Sequence, residues 1–280
     1  MYPIGLSTCG AAINESLFAN YARAGISKME ISSKKEDYDL LDFSTAKVLS
    51  ARHGVEIWSL HLPFMPFSEI DLSALDETIR QNTVSLSAEL IRRASNAGIR
   101  RFIAHASGEP IPDGDRAARM VQAKKSLREL AKIAAERNAV ICVEDLPRTC
   151  LGRNSAEILE LLSADERLRV CCDTNHLLSE NLTDFIRRVG DRIETLHVSD
   201  YDGKDEKHWL PGEGILDWQV VLAALQEIGY RGPWLYEMGL TTPKTIVRER
   251  DLTYSDFVHN AKELFAGQKP TVHSRTPKNP

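Results

Sequence analysis

The chain has 280 residues, 42% hydrophobic and 27% charged, which is the make-up of an ordinary globular protein long enough for one large α/β barrel or two modest domains. Its net charge of -5 argues against broad electrostatic attraction to nucleic acid. No apolar run approaches the ~20 residues that a membrane span needs.

Short β-branched runs alternate along the chain with longer segments of helical periodicity. Ile4–Cys9 reads as a first strand and Leu17–Ala24 as part of a first helix. Lys28–Ser32 is a second strand, ending near Glu30, and Ser44–His53 a second helix. Strand three, Val55–Leu60, runs through His61-Leu62-Pro63 into a long loop and a helix over Leu75–Ala97, with Ile79, Val84, Leu86, Leu90 and Ile91 as its apolar stripe. Strand four is Arg101–His105; after the Gly/Pro-rich loop Ser107–Gly114, a helix extends to about Asn138. Strand five is Val140–Glu144, followed by a helix over Ser155–Leu162 with Ser155 as its expected N-cap. Strand six is Leu168–Asp173, with a helix around Leu182–Val189. Strand seven is Ile193–His197; a long polar loop then leads to a helix over Trp218–Ile228. Strand eight is Trp234–Glu237, with a closing helix near Tyr254–Leu264. Gly98 and Gly229 stand where helix C-caps want glycine.

Eight βα units is the count for a single (β/α)8 barrel, here over residues 1–266, with 267–280 a polar, Pro-rich tail expected to fray. The start, Met1-Tyr2-Pro3, has no basic segment and leads straight into a strand, so no signal peptide is expected. The five cysteines have no framework spacing, and Cys142, Cys171 and Cys172 lie in predicted buried strands; a reduced, cytoplasmic protein is the expectation.

Six predicted strands end on a group that binds metals: His61, His105, Glu144, Asp173, His197 and Glu237. In a closed parallel barrel all six point into one mouth. For a lone strand-end histidine a hydrogen-bonding role is the plainer reading. Five of the eight histidines, His61, His105, His176, His197 and His208, nevertheless fall on this one rim, and only His53, His259 and His273 lie elsewhere. Mixed imidazole and carboxylate ligands suit Mn²⁺, Zn²⁺, Fe²⁺ or Co²⁺. His176, three after Asp173, is either a further ligand or a group that orients one. In the loop after strand seven, Pro211, Gly212 and Gly214 shape a turn around a structural Glu213, and His208, two after Glu206, is the functional candidate. Trp209 either packs on the rim or stacks on a sugar, and Arg148 either meets a substrate oxygen or forms a surface ion pair. Glu30 lines either the bottom or the mouth of the barrel. No P-loop, dinucleotide fingerprint or nucleophile elbow is present.

His61-Leu-Pro, His105, Val143-Glu144-Asp-Leu-Pro147, Asp173-Thr-Asn-His176, His197-Val-Ser-Asp, His208-Trp-Leu-Pro-Gly-Glu-Gly214 and Tyr236-Glu237 together resemble the xylose isomerase-like TIM barrels, in particular the sugar phosphate isomerase/epimerase group and its apurinic-site endonuclease relatives. The resemblance implies one divalent ion (Mn, Co, Zn, Fe or Mg) held by Glu144, Asp173, His197 and Glu237, with Glu144 and Glu237 also the catalytic acid–base pair. It further implies a small carbohydrate substrate, isomerised or epimerised by proton abstraction beside its carbonyl through a metal-stabilised enediolate. No nucleic-acid or membrane partner is expected, and a homo-oligomer is compatible with the resemblance. His61, His105, His176, Glu206 and His208 are left to bind substrate or further metal.

Two departures set the chain apart from the ketose 3-epimerases of that group. Gly203 stands where an arginine follows the strand-seven histidine by six, and Cys150 where a glutamate follows the strand-five glutamate by six. One alternative is a 3-keto-glycoside lyase or hydratase using the same metal-enolate chemistry. A second is a multi-zinc endonuclease-like hydrolase, in which eight of nine ligand positions match and the ninth is Glu206. Against the second stand the negative net charge and the few basic residues expected in the loops after strands two and three.

Overall fold

Neighbouring parallel strands require a crossover that carries the chain back to the starting end, and this sequence supplies a helix each time. The computed structural model describes residues 1–274. In it β1 (Ile4–Ser7) leads to α1 (Glu15–Ala24), β2 (Lys28–Ile31) to α2 (Phe43–His53), and β3 (Glu56–His61) to α3 (Glu77–Asn96). Then β4 (Arg101–Ala104) leads to α4 (Arg116–Ala135), β5 (Val140–Glu144) to α5 (Ser155–Leu162), and β6 (Arg169–Asp173) to α6 (Leu182–Val189). Last, β7 (Ile193–His197) leads to α7 (Trp218–Glu227), and β8 (Trp234–Tyr236) to α8 (Tyr254–Phe265). The paired strands run β7-β6-β5-β4-β3-β2-β1-β8. Val198 N–H donating to Leu235 O (2.8 Å) and Glu237 N–H to Val198 O (3.2 Å) bring the two ends together. The fold is a (β/α)8 TIM barrel. Among the described residues no helix is long and apolar enough to cross a membrane.

Helix starts follow local chemistry. Asn14, Asp42, Asp76, Asn154, Asn181 and Asp217 each accept backbone N–H groups of the first turn, satisfying donors that the helix leaves orphaned. The cap of α5 is thus Asn154 rather than Ser155, whose hydroxyl donates instead to Glu180. The inward face of α3 also differs from the expected stripe: Val84, Leu90 and Ile91 are buried, Ile79 and Leu86 only partly so. Arg80 is fully buried there, its guanidinium held by Glu77, Ser126 and Glu129.

The main core lies between sheet and helices, while Ile103, Cys142 and Cys171 form a small separate cluster inside the ring. Period-two alternation accounts for what stands above them. Two residues beyond Ile103, Cys142 and Cys171 come His105, Glu144 and Asp173, so the faces that fill the ring also supply its mouth.

The loop after β7 is built around two buried carboxylates. Asp200 accepts from the N–H groups of Tyr201, Gly212 and Leu216 and from the Trp218 indole. Glu213 takes the guanidinium of Arg248, from beyond β8, at 2.6 Å and also accepts the Leu210 N–H at 3.0 Å. Gly214 lies so close to Asp200 and the Tyr201 carbonyl that no side chain fits. Gly212, at φ +96°, is covered by Pro270 and Val272. Through Ser274 the expected fraying is therefore not seen: Thr271 bonds Glu263, the His273 carbonyl accepts Glu249 N–H, and Ser274 bridges Arg248. The remainder of the expected tail, 275–280, lies outside the described residues.

Both side chains of the Arg248–Glu213 pair are 0% exposed. Removing one charge strands the other, at a typical cost of about 3–5 kcal/mol. Glu213→Gln is expected to lower unfolding stability by that order in urea titration; a loss indistinguishable from zero would contradict the pairing.

Candidate metal centre and its cavity

Glu144, at the end of β5, is the hub of the mouth. Its Oε1 lies 3.1 Å from His197 Nδ1, and its Oε2 lies 3.2 Å from His61 Nε2 and 3.1 Å from His105 Nε2. Glu237, just past β8, brings Oε2 to 3.3 Å from His197 Nδ1. Asp173 Oδ2 is 3.8 Å from the same nitrogen. One ligand atom each from Glu144, Asp173, His197 and Glu237 lies within 4.8 Å of the others. Two further groupings meet the same limit: His61 with His105 and Glu144, and His176 with Glu206 and His208.

Backbone contacts set the ring orientations. His61 Nδ1–H donates to Leu62 O (2.8 Å), His176 Nδ1–H to Asp145 O (2.9 Å) and His208 Nδ1–H to Glu237 O (3.1 Å). Each leaves Nε2 for the cavity. His208 is held at φ +52°, with its own N–H and that of Lys207 directed at Asn175 Oδ1. His176, which the sequence leaves between ligand and orienting group, places Nδ1 3.6 Å from both Asp173 and Glu144 but pairs Nε2 with Glu206 at 3.2 Å. It thus belongs with Glu206 and His208 rather than in the four-residue cluster.

Burial and charge act in opposite senses here. Burial pushes the Glu144 carboxyl up, but His197 and His105 outweigh it and hold the group well below the usual carboxylate range. Glu237 is lowered in the same way, burial being overcome by His197. Asp173 goes the other way, raised well above the normal range by burial and by Glu237 and Glu144, against the pull of His176. Burial likewise pushes the adjacent Asp145 up to about 8, although Asp145 accepts the Asp173 N–H at 2.8 Å. Burial would lower His197 and His176, yet neighbouring acids raise both well above the ordinary imidazole value.

Asp173 Oδ2 is fully buried and has no hydrogen-bond donor. A buried oxygen with no donor, set among two glutamates and an imidazole nitrogen, fits a divalent cation in both charge and ligand type. The buried Asp, Glu and His cluster is consistent with a divalent-metal site.

Glu144 and Glu237 of this cluster, but not Asp173 or His197, line a cavity of about 270 Å³ whose walls also include Phe64, Met65 and Arg148. A second cavity of about 430 Å³ adjoins it and shares Phe64 and Met65. Arg148, at φ +53°, is engaged by Glu109 at 2.5 Å, Asp205 at 2.7 Å and Glu206 at 3.0 Å. Its role is the ion-pair alternative, here tying the loops after β4, β5 and β7 together. Trp209 donates its indole N–H to Thr245, and its backbone pairs with Asp200 on the rim.

Two site residues escaped a definite reading from sequence. Glu30 proves to be at the mouth: it is fully buried, with His197 Nε2 3.0 Å away and the Ser59 hydroxyl donating at 2.8 Å. Asp145 carried only the signal of being acidic and next to Glu144. The Gly203 departure has a backbone reason: φ is +77°, a conformation in which a side chain is strained.

A family model described as "Xylose isomerase-like TIM barrel" matches residues 18–254. A D-psicose 3-epimerase of Enterocloster bolteae is 32% identical over 133 residues, covering 44% of this chain and 40% of that protein, so the match spans less than half of the relative's length. A D-psicose 3-epimerase of Ruminiclostridium cellulolyticum is 26% identical over 247 residues, 83% of this chain and 82% of that one. The crystal structure of a D-tagatose 3-epimerase-like protein superposes with a TM-score of 0.79 at 22% identity, covering 95% of this chain and 97% of that chain, a likeness of fold. The chain belongs to the xylose isomerase-like TIM barrel family.

Proposed function

We propose that this protein is a divalent-metal-dependent isomerase or epimerase of a small sugar, with Glu144 and Glu237 as its acid–base pair. The carrying observation is that these two carboxylates both approach His197 Nδ1, at 3.1 and 3.3 Å, and both line one cavity. The likeness to two D-psicose 3-epimerases supports this reading. A cavity of about 270 Å³ falls at the small end of the ~300–1,000 Å³ usual for small-molecule sites, which suits a monosaccharide unit. The adjoining cavity leaves room for a substituent.

Glu144, Asp173, His197 and Glu237 are the residues that would hold the cation. Bound there, a divalent ion supplies Lewis acidity to a carbonyl and its neighbouring hydroxyl. The chain supplies the proton chemistry. Both glutamates are held ionised, so either is competent to take a proton from the carbon beside the carbonyl. Return of the proton at the adjoining carbon isomerises the sugar; delivery from the opposite face by the second glutamate, once it has taken up a proton from solvent, inverts the centre, and the first glutamate gives its proton back to solvent. His61 and His105 keep Glu144 oriented, and His208, anchored through Nδ1, offers Nε2 to a hydroxyl, while His176 Nε2 is engaged by Glu206. Arg148 is already matched by three carboxylates and is not free to grip a phosphate. With Cys150 and Gly203 where the ketose 3-epimerase pattern has a glutamate and an arginine, the choice of sugar is set differently here.

A second reading, metal-assisted hydrolysis, is favoured by the three ligand groupings around the mouth. The loop after β2 does carry Lys34 and Lys35, more basic than expected, but Lys35 pairs with Glu69 and acidic residues follow. Metal content separates the readings. About one ion per chain, measured on protein purified without chelator or affinity tag, supports the sugar reading; two or three zinc ions support hydrolysis.

Glu144→Gln and Glu237→Gln are each expected to cut keto-sugar proton exchange in D₂O by at least ~10²-fold with the fold intact by circular dichroism. Full exchange in either variant would refute the assignment. Metal uptake at pH 7 is expected to release protons, because His197 and Asp173, both in the four-residue cluster, are raised well above their ordinary values and must lose their protons to bind a cation. Affinity then falls as pH drops. Calorimetry in two buffers of different ionisation enthalpy measures the release, and a buffer-independent heat would contradict it.

A further inference from the structure

Glu30 lies outside the four-residue cluster, yet it is as buried as any member of it. It stands on β2, across the ring from His197, with no lysine or arginine paired to it among the described residues. Both of its oxygens are 3.0 Å from His197 Nε2, and the Ser59 hydroxyl donates to Oε2 at 2.8 Å. His61, His176 and His208 are anchored through Nδ1 to neutral backbone carbonyls and present Nε2. His197 is turned the other way: its Nε2 meets a carboxylate, and its Nδ1 faces Glu144, Glu237 and Asp173.

We propose that Glu30 is a positioning residue for the metal centre, acting through His197. By accepting the Nε2–H it fixes the tautomer that leaves Nδ1 bare toward the cluster. Its negative charge makes that nitrogen a stronger donor than a backbone carbonyl would. Ser59 completes the relay by aiming the carboxylate. The inference rests on the metal-site reading above and adds to it a fifth residue that need touch neither ion nor substrate.

The test is calorimetric titration of Mn²⁺, and separately Zn²⁺, into metal-stripped wild type, Glu30→Gln, His197→Gln and the double variant. Glutamine keeps the shape but removes the charge, and its amide can turn a donor toward Nε2. Glu30→Gln is expected to weaken metal binding by about 10–100-fold. In the His197→Gln background the same change is expected to add nothing, because its route to the ion has gone. Wild-type affinity in folded Glu30→Gln overturns the proposal, as does a full additional loss in the double variant. Should Glu30→Gln fail to fold, Ser59→Ala disturbs only the aim of Glu30; a few-fold loss supports the proposal and unchanged affinity overturns it. If wild type itself takes up no divalent ion, the metal-site reading falls together with this one. If it does and Glu30→Gln matches it, only the role of Glu30 is lost.

Discussion

Glu30, Glu144, Asp173 and Glu237 meet at one end of the barrel, and among the described residues no lysine or arginine is paired with any of them. Among the described residues their charge is met by imidazoles, the Ser59 hydroxyl and the Asn175 N–H. Taking even one carboxylate out of water costs several kcal/mol unless something positive accompanies it. The upward shifts of His61, His176, His197 and Asp173 favour protons that offset this charge, and a divalent cation would offset it better. A fold that concentrates acid in this way is organised around positive charge at one point. The eight strands, the loop after β7 and the buried arginine beyond β8 all serve to keep that point fixed.

The barrel performs the gathering by parity alone. Cys142 and Glu144, Cys171 and Asp173, and Ile103 and His105 are separated by two positions, so the small residues that fill the ring and the groups that occupy its mouth share a face. Helices on the outside carry the main core and leave the inner face available for chemistry. Loops then add what strands cannot. Glu206 and His208 arrive on a segment whose course is dictated by Asp200 and Glu213.

Much of this was legible in the sequence, because repeated βα periodicity and strand-end ligands are local signals. Asp173, His197 and the two glutamates each end a recognisable apolar run. Glu30 also ends one, yet its facing was not readable. The β2–β3 register shifts opposite Met29 and Glu30, where β3 carries the extra residue Trp58, so the level at which Glu30 meets its neighbouring strands cannot be counted along β2 alone. The α5 cap went to Asn154 because both neighbours are good capping residues and only backbone geometry separates them. Arg80 was invisible for another reason: its burial depends on Ser126 and Glu129, some 46 and 49 positions away. The described part of the tail, through Ser274, is held by partners that composition does not reveal, Glu263 and the backbone of Glu249.

That last contact has a mechanical meaning. Pro270 and Val272 press on Gly212, Ser274 bridges Arg248, and Arg248 grips Glu213, four residues beyond Trp209 and five beyond His208. The segment from Pro270 to Ser274 is therefore geared to the loop that delivers His208. A displacement of this segment is passed through Arg248 and Glu213 to the edge of the cavity. Substitutions at Pro270 or Val272 can thus retune the mouth without touching a strand.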